Sequence, residues 1–188
     1  NARYTFSSHL GGIKRVELKK YPAMVACDSK RSPRTNELAT LNTSAPIPVM
    51  TLLGGDLLQG DGGFSLGRTA TGLRAEKSMS NGLHIVKEFE LSTNYLLKTT
   101  VRLQNRSSRP LALSAQEWVI GTATPIGRRD ESLMMGLQWS NGTKAEDVGE
   151  GYFANRTLGC FPGQPRSDYR AGASNVVWAA VHNQFFAI

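Results

Sequence analysis

The chain lacks most of what would anchor, staple or arm it. Among its 188 residues no run approaches the ~18–20 apolar residues of a membrane-spanning helix. No signal-peptide pattern opens it. Three widely separated histidines (His9, His84, His182) and two cysteines cannot build a zinc site. No Gly-x-Ser-x-Gly elbow occurs. Glycines with Walker spacing are missing, so the Gly60–Gly67 stretch is not a phosphate loop. Asp56 and Asp61 stand among glycines, but the alternate-position ligands and distal Glu of a calcium loop are absent. Cofactor and metal are therefore expected to be none; for catalysis the sequence points to no particular residues, although strands can bring a distant carboxylate pair together.

Charge of one sign is scarce. The net charge is +7, and Lys14 to Arg34 holds seven Lys/Arg against Glu17 and Asp28. This stretch is not interleaved with stacking aromatics, which argues against nucleic acid. It reads as a solvated surface, with anionic lipid or an acidic protein as alternatives. Glu146, Asp147 and Glu150 form an acidic cluster that reads as a solvated loop. Cys27 and Cys160 would gain about 4–5 kcal/mol by pairing across so long a loop in the chain-entropy model. Two separate buried thiols are the expectation.

What is present is a strong period of two. In Leu83–Leu91 the odd positions Leu83, Ile85, Phe89 and Leu91 are apolar, with Lys87 the exception. Tyr95, Leu97, Val101 and Leu103 resume the pattern after Ser92-Thr93-Asn94. Leu111, Leu113, Ala115 and Trp118-Val119-Ile120 form a third run after a polar turn. Alternation of this kind buries one face of an antiparallel sheet. Asn81-Gly82 joins a preceding strand to Leu83 and predicts a type I′ hairpin.

Tyr4 and Phe6, then Val16 and Leu18, flank a Gly11-Gly12 turn. From Ala23 to Pro48 the chain reads as a long surface connection. Val49–Leu53, Phe64–Leu66 and Leu133–Trp139 read as further strands, and Glu146–Arg170 as irregular. Asn175–Ile188 differs: Trp178, Val181 and Phe185 at i, i+3, i+7 predict a short terminal helix docked through Trp178 and Phe185, although Val177, Ala179 and Val181 also permit a strand. Trp118, Trp139 and Trp178 lie on or beside apolar faces, where they pack in a core or line a groove for an extended or amphipathic ligand; Trp118 and Trp139 are the groove candidates. Many short strands with one late helix predict an all-β antiparallel sandwich, expected as one domain over residues 1–188.

The order of several motifs resembles the large periplasmic domain of the YidC family of membrane protein insertases. Tyr4-Thr5-Phe6-Ser7-Ser8, Gly11-Gly12-Ile13-Lys14 and Val16-Glu17-Leu18 are similar to that domain's start. Val86-Lys87-Glu88-Phe89, Tyr95, Val101, Leu103 and Asn105 look like its central strands. Trp178-Ala179-Ala180-Val181-His182-Asn183-Gln184-Phe185-Phe186-Ala187 resembles the segment before the family's second transmembrane helix. The Ala23–Pro48 and Glu146–Arg170 regions match poorly.

The resemblance implies a galactose mutarotase-like β-supersandwich with a helix near the C-terminal end. It implies a periplasmic domain of a bacterial inner-membrane protein, cut from a longer chain whose transmembrane helices lie outside this sequence. The implied role is non-catalytic. Such a domain contacts SecF and the SecDF–SecYEG translocon, and serves the insertion of nascent membrane proteins. Gly11, Gly12, Trp178, Asn183, Gln184, Phe185 and Phe186 carry the motif and the coupling to the membrane part. The alternative is a carbohydrate-active or carbohydrate-binding protein on the same sandwich. That reading needs a His and a carboxylate converging in a cleft, with His84 and His182 as candidates.

Overall fold

The computed structural model describes residues 1–23, 37–126, 130, 132–155, 160–172 and 175–188. The protein is all-β and sandwich-like, and every strand pairing is antiparallel. It divides into two compact units, Asn1–Val119 and Ile120–Ile188.

The first unit contains β1 (Ala2–Ser7), β2 (Gly12–Pro22) and β3 (Leu38–Leu41) in one sheet. A second sheet runs β5 (Ser65–Arg68), β6 (Gly72–Ser78), β7 (Leu83–Leu91), β8 (Leu97–Asn105) in spatial order. Two short strands, β4 (Leu52–Leu53) and β9 (Glu117–Trp118), pair with each other. The helical turn α1 (Asp56–Gln59) follows β4.

β7 is the centre of the larger sheet. Leu83, Ile85 and Phe89 project to the inner face and are buried, as the period of two predicts, but His84 and Val86 on the other face are buried as well and Leu91 is 45% exposed. Leu83 and Ile85 pack with Leu52 and Leu58, and Phe64, Met79, Leu103 and Leu111 close around them. Phe89 meets Phe6 of β1 at 4.9 Å between ring centroids, so the two larger sheets lie face to face. An aromatic pair of this kind adds about 0.5–1.5 kcal/mol beyond its buried area.

Several sequence expectations are corrected. The third run of the meander does not join β8. Asn105, Ser107 and Arg109 bond among themselves, with Asn105 Nδ2 donating to Arg109 O at 2.7 Å. Pro110 then offers no N–H, so the chain leaves the sheet edge. Only Glu117–Trp118 is strand, and it pairs with β4. The β6–β7 turn is not type I′, because Asn81 does not take a positive φ. Met79 O accepts Gly82 N–H at 3.0 Å and Gly82 takes φ 89, a type I turn closed by a glycine bulge. Within the expected surface connection, β3 pairs with β2 and buries Ala39 and Leu41.

The second unit has β10 (Gly136–Ser140) between β11 (Ala145–Gly149) and β12 (Trp178–His182). The short helix α2 (Glu150–Ala154) follows β11, and a 3-10 turn covers Ser132–Met134. The expected irregular stretch from Glu146 thus begins as strand and helix. The expected terminal helix is β12, followed by a tight turn. Its backbone pairs with β10 from Trp178 to His182, while Val181 and Ile188 exchange bonds on the other edge. These bonds, with β-branched Val176, Val177 and Val181, outweigh the helical spacing. Trp178 is 46% exposed and Phe185 61%, so neither docks anything onto this unit.

Candidate functional site

The one cation on the inner face of β7 is the unusual feature of the first unit. Lys87 stands between Ile85 and Phe89, opposite Ala75 of β6, and is 0% exposed. Its Nζ donates to Leu10 O and Met50 O, both at 2.9 Å. The Phe64 ring centroid lies 4.8 Å away, within cation–π range. Leu10 and Met50 both hold positive φ, 62 and 64. Bulky residues rarely adopt that conformation, and here it aims both carbonyls at the same amine. Burial pushes the Lys87 ammonium down from 10.5 to about 8. A neutral amine still has two N–H donors, so both carbonyls stay satisfied after deprotonation.

Gly11 and Gly12 explain why this cage can close. A Cβ on Gly11 would lie 2.6 Å from the Phe64 ring, and one on Gly12 would lie 2.4 Å from Val49 O. The absence of both side chains lets Phe64 and the Val49–Met50 backbone approach Lys87. Lys77, two residues beyond Ala75 on the same face of β6, anchors the loop that carries Phe64. Its Nζ donates to Gln59 O at 2.6 Å and to the Asp61 carboxylate. The Lys77 bond, then Gly63 N–H, holds the Asp61 carboxyl below its usual range. Asp61 thus faces a lysine.

In the second unit, Trp139 is buried, and its Nε1–H is shared between Glu146 Oε2 at 3.2 Å and Tyr169 Oη at 3.1 Å. Tyr169 Oη donates to the Glu146 carboxylate, and Lys144 pairs with it. Lys144 first and Tyr169 next hold the Glu146 carboxyl low, while Glu146 pushes the Tyr169 phenol up. On the next position of β11, Asp147 accepts from Gln138 at 3.0 Å and lies 3.2 Å from His182 Nε2. The Gln138 bond first, then His182, lowers its carboxyl. Glu146 and Asp147 are therefore strand residues bound on opposite faces, in place of the expected solvated loop. A cleft of about 390 Å³ lies beside this sheet, lined mainly by Met135, Leu137, Phe153 and Val181, with Glu150 at its wall.

The residues singled out from sequence fall into separate places. Gly11 and Gly12 border the Lys87 cage. Trp118 belongs to the first unit and is 38% exposed, whereas Trp139 is buried in the second. Asn183 is buried and builds the turn after β12. Its Oδ1 accepts Phe185 N–H and Phe186 N–H, both at 3.0 Å, and its Nδ2 donates to Thr124 O at 3.1 Å. Gln184 and Phe185 are exposed at that turn, with Phe186 half-buried. Cys160 is exposed, against the expectation of a buried thiol, and Cys27 lies outside the described residues. His84 pairs with Ser78 at 2.8 Å, its Nε2 lying 3.8 Å from Glu76. Among the described residues no three His, Cys, Asp or Glu side chains cluster to hold a metal ion.

Sequence reasoning passed over Lys87 and the Glu146–Tyr169 contact. A signal existed for Lys87: a lone lysine on an otherwise apolar strand face. None existed for Tyr169, which lies 23 residues from Glu146 in an irregular segment. No family model, curated protein or solved structure matches the chain.

Proposed function

We propose that the chain is a non-catalytic interaction domain of a bacterial membrane protein insertase of the YidC type. It would stand on the periplasmic face of the inner membrane, beside SecF and the SecDF–SecYEG translocon. The observation that carries this reading is the segment from Val176 to Phe185. Trp178 and Phe185 are exposed in the run from Trp178 to Ala187, whose sequence resembles the family's link to its next membrane helix, and Val176 and Val177 just before that run are exposed too. Exposed apolar surface that is contiguous marks an interaction site. The roles of Gly11, Gly12 and Asn183 agree with it, since each motif residue has a local conformational task. The all-β sandwich agrees with the galactose mutarotase-like architecture that the family reading implies.

The sugar-active alternative needs a His and a carboxylate in a cleft, but the His182–Asp147 pair lies on the sheet face opposite Leu137 and Val181, which line the cleft. The cleft lining is mostly apolar, which offers sugar hydroxyls few partners.

Photo-crosslinking tests the insertase reading. A photoreactive residue at Val177 or Phe185 in the full gene product, expressed in bacterial inner membranes, should give an adduct with SecF or another translocon subunit. The same probe at exposed Arg68, in the first unit, should give none. Absence of any translocon adduct at Val177 and Phe185 refutes the assignment.

A further inference from the structure

We propose that the tip of the β7–β8 hairpin, together with the adjoining end of β2, docks on an anionic lipid bilayer. The inference uses surface chemistry of the first unit alone and does not rest on the insertase reading. The hairpin closes at the Leu91–Leu97 pair, and Ser92 N–H donates to Leu96 O at 3.2 Å. At and beyond that pair the tip turns apolar side chains to water: Leu96 is 69% exposed and Leu91 45%. Tyr95 between them holds φ 62, an uncommon conformation for a bulky aromatic. Strain of this kind persists where the surroundings impose it. Here Tyr4 Oη donates to Tyr95 O at 3.3 Å and pins the turn.

The end of β2 lies beside this tip. Tyr21 and Tyr95 face each other at 6.5 Å between centroids. Asn1 ties the two segments: its Nδ2 donates to Thr93 O at 2.6 Å, and its carbonyl accepts Lys19 N–H at 2.9 Å. Lys19 and Lys20 are both exposed. Of the acidic side chains close by, Glu90 is neutralised by Lys98 at 3.5 Å, and Glu37 is exposed near the end of β2.

Two leucines, two tyrosines and two lysines in this order fit a bilayer boundary. Leucine gains by leaving water, tyrosine settles where one end is wet and one apolar, and lysine is drawn to anionic headgroups. Lysine is depleted from protein–protein contact patches, so the same set fits a protein partner less well. The charge complementarity selects an anionic surface over a neutral one.

Co-sedimentation of the whole chain with vesicles tests this. The chain should pellet with vesicles of phosphatidylcholine and phosphatidylglycerol, not with phosphatidylcholine alone, and added salt should release it. Replacing both Lys19 and Lys20 by Gln should weaken binding about fivefold per lysine. Leu96→Ser should weaken it about tenfold, while Lys19→Arg with Lys20→Arg should preserve it. All these side chains are exposed, so melting temperatures should stay at the parent value and separate lost docking from lost folding. The proposal is overturned if phosphatidylglycerol vesicles leave the chain in the supernatant. It is overturned equally if neutral vesicles bind as well as anionic ones, or if the Gln and Ser variants pellet like the parent. A tip that captures protein would leave the vesicles bare and give the first of these results.

Discussion

Lys87 shows how one side chain can tie a sandwich together at a cost that depends on pH. Its amine joins the β1–β2 turn at Leu10, the Met50 backbone and the Phe64 loop to the central strand. In the folded chain it titrates near 8, below the ordinary 10.5. Below pH 8 both folded and unfolded chains hold the proton, and the folded state bears the full desolvation cost. Between about 8 and 10.5 only the unfolded chain keeps the proton, so stability rises with pH across that window. The rise is limited to about 3.5 kcal/mol, at ~1.4 kcal/mol for each pH unit of the window. Urea unfolding of the parent and of Lys87→Met at a series of pH values should show it. The stability difference, parent minus variant, should grow from pH 7 to pH 10.5. A flat difference would mean that Lys87 keeps an ordinary pKa and that its burial carries no penalty. The lysine was visible in the sequence as the single break in an apolar face. Its partners were not, because two carbonyls from Leu10 and Met50 lie far away in the chain and have no side-chain signature.

At the scale of the element, β7 and β12 make opposite cases. β7 is legible because four of its five odd positions are apolar against one of its four even positions, a pattern that a helix cannot reproduce. β12 is ambiguous because Val, Ala and Trp suit either period, and the deciding term is backbone pairing with β10, which sequence does not display. The Leu111–Ala115 run misleads for a related reason: its alternation is good, but Asn105 and Pro110 take the chain off the sheet before it can pair. The strand assignment at the C-terminal end changes which residue matters there. Trp178 is exposed, so Trp178→Ala should cost less than about 1 kcal/mol, as surface changes usually do. Asn183 is buried and makes three hydrogen bonds that hold the turn. Asn183→Ala leaves those partners unmet, each buried loss costing ~1–3 kcal/mol, and should cost about 2–4 kcal/mol in total. Urea titration of the two variants checks the ranking. A larger loss for Trp178→Ala would restore the docked helix.

Over the whole molecule, buried apolar area is distributed unevenly. Of the buried apolar side chains among the described residues, only Trp139 and Val148 belong to the second unit. The first unit holds the Leu52–Leu58–Leu83–Ile85 cluster, the Phe6–Phe89 pair and the Lys87 cage. The second relies more on polar ties, such as Glu146 with Tyr169 and Lys144, and Asp147 with His182. Exposed ties of this kind contribute little each, with a median near 0–1 kcal/mol. Domains below about 70–80 residues seldom draw more than ~3–5 kcal/mol from a single core, so the second unit is expected to be marginal alone. The fragment Asn1–Val119 should therefore fold by itself. It should unfold cooperatively in urea and keep the alkaline rise in stability from Lys87, because Leu10, Met50, Phe64 and Lys87 all lie within it. The fragment Ile120–Ile188 should show little fixed near-ultraviolet signal from its tryptophans. Backbone amide exchange in the intact chain should run in the same order, slowest in β6 and β7 and faster in β10 to β12. An unfolded Asn1–Val119 fragment, or slower exchange in β10 than in β7, would place the stabilising core in the wrong unit.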